Sequence, residues 1–218
     1  MAVYTVFGQP ANPGSNNHDT AQYTMGMQFT LSQPAALTGI WWWSPTGALV
    51  LPGGTCIYQI TGTNTGTQVT GTLHGSPTWG GATAGSGWVK ETYDGSVTLS
   101  ASTNYRVCIL WTTATSDYTA TANYWSSGPG GSGITSGIIT APNSGSADGG
   151  NQDAFIVGSG TFAYPNTSFN SGNYWVDVEV TTGGPAPGPN VVGSNVPEAA
   201  ATSGWVMLPV RGRVGSAV

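Results

Sequence analysis

Leu37-Thr38-Gly39-Ile40-Trp41-Trp42-Trp43 joins β-branched, apolar and aromatic residues without helical spacing. It reads as a strand, because such side chains fit a pleated surface. Successive side chains of a strand point to opposite faces. Trp41 and Trp43 therefore share a face with Leu37 and Gly39, and Trp42 takes the other with Ile40. On this reading Trp41 and Trp43 anchor the core. Trp42 packs under a loop, at an interface, or against a sugar ring.

Working outward, similar runs recur at short intervals between Gly, Pro, Asn and Ser clusters. The pattern predicts strands over 3–7, 23–31, 36–43, 55–61, 67–73, 87–92, 96–99, 104–112, 119–125, 153–157 and 173–181. Helical periodicity is absent, apart from a weak signal at Pro197-Glu198-Ala199-Ala200-Ala201. Strands joined by short loops predict an all-β, antiparallel β-sandwich, jelly-roll-like, with an extended C-terminal arm. Residues 126–152 read as one long Gly/Ser/Asn loop carrying Ile134, Ile138 and Ile139.

The expected division is a sandwich domain over 1–182, a Pro/Gly linker over 183–190 and an arm over 191–218. Alternating prolines in Gly183-Gly184-Pro185-Ala186-Pro187-Gly188-Pro189 disfavour both helix and ladder. The arm carries Trp205, Val206, Met207, Leu208, Val210, Arg211 and Arg213. It is too short for a core of its own, so it docks on a neighbouring subunit or folds back on its own sandwich.

Charged residues make up 6% of the 218-residue chain, against roughly 25% in an average soluble domain. Nine Trp, nine Tyr and five Phe supply the apolar area that order requires. The net charge is −5, and the four basic residues are Lys90, Arg106, Arg211 and Arg213. That argues against nucleic acid as a ligand, since phosphate binding needs clustered Lys and Arg. Membrane insertion through a helix is not expected, because no apolar run approaches the roughly 20 residues a span requires. The opening residues, Met1 to Phe7, lack a basic leader and an apolar stretch. An extracellular composition without a leader fits assembly in a cytoplasm and release by lysis, as in a virus particle. A leader already removed is the plainer account.

Cys56 and Cys108 each lie in an apolar, strand-like run. Without C-x-x-C spacing they make no zinc site; they form a disulfide or remain two small buried thiols. Asp148, Asn151 and Asp153 bring oxygens together in a Gly-rich loop, but not at EF-hand spacing, so neither a metal nor a cofactor is expected. Gly128-Pro129-Gly130-Gly131-Ser132-Gly133 fits G-x-G-x-x-G, yet no helix is expected after it, as dinucleotide binding requires. For catalysis the acid pairs are Glu91 with Asp94 and Asp177 with Glu179. Both read as groups that keep a charge-poor surface soluble, because glycoside hydrolysis needs two carboxylates across a cleft. His18 and His74 sit in loop-like stretches outside any hydrolase motif.

Several strings resemble a β-sandwich family known as a domain of unknown function. They are Tyr23-Thr24-Met25-Gly26-Met27-Gln28-Phe29-Thr30, Leu37 to Pro45, Gly87-Trp88-Val89 and Ser96 to Ala101. Phe162-Ala163-Tyr164-Pro165-Asn166-Thr167 and the more specific Asn173-Tyr174-Trp175-Val176-Asp177-Val178 complete the likeness, which spans roughly 20–181. The resemblance implies a sandwich in secreted bacterial proteins or in virions of phages that infect actinobacteria, and it carries over no catalytic residue.

The expectation is therefore a non-enzymatic phage virion protein, a minor tail or surface decoration protein. Its expected partners are other virion proteins, further copies of itself and a cell-surface polysaccharide. A secreted carbohydrate-binding module is the rival, with Trp42, Trp79 and Trp125 as the stacking candidates; a glycoside hydrolase using Asp177 or Glu91 is the third class.

Overall fold

The computed structural model describes residues 1–9 and 13–183. The arm residues Trp205, Val206, Met207, Leu208, Val210, Arg211 and Arg213 lie outside the described residues, as does the linker beyond Gly183.

The described chain is an antiparallel β-sandwich. One sheet contains β1 (Ala2–Tyr4), β4 (Ala35–Ser44), β7 (Gly87–Thr92), β8 (Thr98–Leu99) and β14 (Val176–Thr182). Its order is β1-β14-β4-β7, with β8 also pairing β4. The other sheet contains β3 (Gln22–Leu31), β5 (Gly54–Gly62), β6 (Thr65–Gln68), β9 (Asn104–Leu110), β11 (Ile134–Ser136), β12 (Ile139–Ala141) and β13 (Asp153–Gly158). It is ordered β11-β12-β3-β9-β5-β6, with β13 also pairing β3. A separate two-stranded ribbon joins β2 (Ser15–Asp19) to β10 (Ser116–Ala120).

Alternation places Met25, Met27, Phe29 and Leu31 of β3 in the core, together with Val107 and Ile109 of β9. Opposite them lie Val176, Val178 and Val180 of β14 and Val89 of β7. On β4 the alternation breaks. The buried residues run Ala35 and Leu37, then Ile40, Trp42 and Ser44. Gly39 pairs with Glu179 and Leu37 with Val180, so Thr38 is an extra residue on β4. Such a bulge shifts the side-chain phase by one position. The strand thus reads as expected in extent but not in face: Trp42 is the core residue, while Trp41 and Trp43 are half-buried on the outer face. There Lys90 lies 5.5 Å over the Trp41 ring, and Trp43 pairs edge-to-face with Trp88 at 5.8 Å. Gly39 leaves room for this, because a Cβ there would come within 2.3 Å of Lys90 Cε.

The region 126–152 differs from the single loop expected. Ile134 and Ile139 open the strands of a hairpin, β11–β12, which extends the sheet through Ile139 opposite Leu31. Ile139 and Ala141 are buried, so a period-2 pattern too short to stand out among glycines sets the pairing. His18 likewise lies on a strand, β2, rather than in a loop.

Candidate functional site

The three tryptophans expected to meet a glycan are all internal. Trp42, Trp79 and Trp125 are 0%, 3% and 0% exposed. Trp42 packs against Trp111 at 5.5 Å and Trp79 at 6.3 Å. Trp79 donates from Nε1 to the Pro52 carbonyl at 2.9 Å, and Trp125 sits against Tyr124 and Phe7. A stacking role is corrected to a core role, because the bulge in β4 and the turns around Trp79 and Trp125 direct the indoles inward.

Of the carboxylates singled out in the sequence, Asp94 is exposed and accepts from the Ser96 amide at 2.8 Å, whereas Asp177, Glu179 and Glu91 are buried and hold the fold rather than keeping the surface soluble as expected. Asp177 is wholly buried and accepts from the amides of Val6, Phe7 and Val178 at 2.8–3.0 Å. Burial raises its pKa to about 7, despite those hydrogen bonds. Glu179, two residues on, accepts from Lys90 at 2.5 Å, Thr38 Oγ1 at 3.0 Å and Trp41 Nε1 at 3.1 Å. Burial alone would raise its pKa, but these partners hold it below the usual value. Glu91 takes His74 Nδ1 at 2.6 Å and the amides of Thr78 and Trp79. Asp148 takes the Asn64 amide and the Tyr164 hydroxyl. Among the described residues no three His, Cys, Asp or Glu side chains gather as a metal site.

Cys56 and Cys108 stand directly opposite one another on β5 and β9, buried under Phe162 and Tyr164. Both are free thiols, not a disulfide. Burial and the neighbouring Cys108 push the Cys56 thiol well up.

The surface feature that stands out is a cleft of about 440 Å³. It lies where the start of β3, the edge strand β13, the ribbon strand β10 and the approach to β14 converge. Tyr23, Tyr118, Phe155 and Tyr174 line it, with Met25 among them; Ser15, Asn17 and Phe169 also contribute. Its size and aromatic lining match those of small-ligand sites.

Pairing explains the convergence. β13 lies against β3 with Phe155 opposite Met25 and Val157 opposite Tyr23, so Phe155 and Tyr23 share a face. Tyr118 comes from β10 opposite Asn17. Tyr174 arrives through a bridge between Thr121 and Asn173. The next residue, Trp175, has φ 56, a left-handed conformation that bulky side chains rarely adopt. Its amide donates to Asn173 Oδ1 at 2.9 Å. This local turn lets Tyr174 line the cleft, although Tyr174 and Trp175 are equally buried, each 4% exposed.

The four rings close a circuit. Tyr23 meets Tyr118 at 6.2 Å and Phe155 at 5.8 Å, and Tyr174 meets Tyr118 at 5.9 Å and Phe155 at 6.1 Å. Every adjacent pair is edge-to-face. The Tyr118 hydroxyl donates to Asp19 at 2.7 Å. Burial, followed by Asp19, pushes the Tyr118 and Tyr23 phenols up, so both keep their protons at neutral pH. Asp153 is wholly buried and accepts from the Tyr174 amide at 2.6 Å; burial raises its pKa to about 7. Phe169, at the cleft, is 67% exposed.

These residues escaped sequence reading, because ring convergence across four elements leaves no spacing in the chain. The local signals were Tyr23, which opens the Tyr23-to-Thr30 string, and Tyr174 in the Asn173-to-Val178 string, which reads there as continuous strand.

A family model described as a domain of unknown function, DUF4082, matches residues 8–176. No curated protein and no solved structure matches the chain.

Proposed function

This chain belongs to the DUF4082 family, and from that premise we propose that it is a non-enzymatic binding protein of a phage virion. It is a minor tail or surface decoration protein that meets host surface glycans through the aromatic cleft. The observation that carries the glycan contact is the cleft itself, where four rings and the side chains of Ser15 and Asn17 line one open concavity. Aromatic faces take the apolar face of a sugar ring, and polar neighbours take its hydroxyls. The non-enzymatic reading is supported by the engagement of Asp177, Glu179 and Glu91 with backbone amides or cations. Virion placement is supported by the charge-poor, aromatic-rich composition. In this reading the arm over 191–218 fixes the protein to the particle, beside further copies of itself.

Two experiments test it. Polysaccharide from the host wall should bind saturably, and Tyr118→Leu should weaken binding by about tenfold, in line with the loss of one ring contact. Equal binding by that variant refutes the cleft. Deleting 191–218 should leave a folded sandwich that no longer joins particles, and normal incorporation refutes the arm's role. Retained glycan binding without any particle association favours the rival, a secreted carbohydrate-binding module that uses the same cleft.

A further inference from the structure

The circuit of rings supports a narrower statement about the ligand, which rests on the cleft being the contact site. Neighbouring planes lie at 73°, 82°, 75° and 87° to one another, angles that the four walls of a box would also make. With sides of 5.8–6.2 Å, the centre of a square box lies about 4 Å from each centroid, inside the roughly 6 Å at which an aromatic quadrupole holds a cation.

One negative charge stands beside the rings. Among the described residues, no Lys or Arg lines the cleft. Asp19 is hydrogen-bonded to the Tyr118 wall. Asp153 lies on the same face of β13 as Phe155, with its Oδ1 buried and without a hydrogen-bond partner among the described residues, but burial raises its pKa to about 7 and it adds little negative charge below that pH. Of the two described basic residues, Lys90 is paired with Glu179 and Arg106 is buried against the carbonyls of Gly26, Asn151 and Gln152.

We infer that the box formed by Tyr23, Tyr118, Phe155 and Tyr174 binds a quaternary ammonium group of the choline type. A primary ammonium carries three donors and needs acceptors to match. The four rings offer only hydroxyls, of which that of Tyr118 is directed at Asp19, and Ser15 and Asn17 supply the cleft's other polar side chains. A methylated ammonium needs only ring faces and a negative field. A surface polymer substituent and a lipid headgroup both present this chemistry.

The test is titration of the full chain, followed by nuclear magnetic resonance, with choline chloride and with 3,3-dimethylbutan-1-ol, its uncharged isostere. Choline should saturate and shift the tyrosine ring signals, with the isostere about tenfold weaker, as a cation–π contribution requires. Phe155→Leu should weaken choline binding at least about fivefold while the protein stays folded, and Tyr118→Phe, which keeps the ring, should bind within about twofold of the parent. Equal affinity for choline and the isostere overturns the inference, as does the absence of saturation. Polysaccharide binding that depends on Phe155 without any choline binding overturns the cation and leaves the glycan contact standing. Failure of every ligand overturns both. If choline binds, competition against wall polysaccharide assigns the group to a polymer, and sedimentation with phosphatidylcholine vesicles assigns it to a lipid.

Discussion

Trp42→Ala is expected to destabilise the protein by about 3–5 kcal/mol, the range for deleting a large buried aromatic. The indole is wholly enclosed between the sheets, against Trp79 and Trp111. Removing it leaves a cavity that close-packed neighbours fill only in part. Denaturant unfolding at neutral pH gives the value directly. A loss below about 1 kcal/mol, accompanied by lost polysaccharide binding, would return Trp42 to the surface and contradict the bulged register of β4.

The second large effect is expected at Asp177, and its size depends on pH. Asp177→Ala removes the acceptor of three backbone amides, two of which belong to the N-terminal segment Val6-Phe7. At pH 5 the loss should be about 3 kcal/mol, since buried donors are left without partners. Amide exchange should also quicken at Val3 and Tyr4, which pair with Thr181 and Val180.

The folded carboxyl titrates near 7, above its ordinary value of 3.8. Its contribution is therefore fully present below about pH 4 and is lost as pH rises through 7. The parent protein loses what remains of that contribution between pH 5 and pH 8, whereas the alanine variant has none to lose. The gap in stability between the two should narrow at pH 8. A wider gap at pH 8 would mean that the ionised carboxylate is the stabilising form. Burial raises the pKa of Asp117, but His18 and the amides of Leu49 and Val50 outweigh it and hold the group below its usual value. Asp117 and Glu179 therefore contribute throughout this window and lose their effect only in stronger acid.

Much of the architecture was legible, and the reason is periodicity. Met25, Met27, Phe29 and Leu31 alternate cleanly, and β3, β4, β5, β7 and β13 fall within two residues of the expected bounds. Where the reading failed, the deciding interaction lies across strands. Thr38 is an ordinary strand residue in sequence, and only its lack of a partner on β14 reveals the bulge that reverses Trp42. Asn173-Tyr174-Trp175 reads as strand until the positive φ of Trp175 interrupts it.

The site was far less legible than the fold. Exposure of an aromatic is a tertiary property, so Trp42, Trp79 and Trp125 were as plausible from sequence as Tyr23, Tyr118, Phe155 and Tyr174. The pairing of β13 with β3 and the placement of the ribbon β2–β10 separate the two sets. The same holds for Asp177 and Glu179. Their spacing on one face of a strand was visible, but their enclosure by the N-terminal segment and by Lys90 was not.

The most direct measurement is chemical-shift mapping of the isotopically labelled full chain with isolated host wall polysaccharide. Perturbed amides should cluster at 15–17, 118–122, 155–157 and 169–174, around the four-ring box. Perturbations centred on the Trp43–Trp88 face, or a saturating ligand that leaves those segments unmoved, would contradict the account.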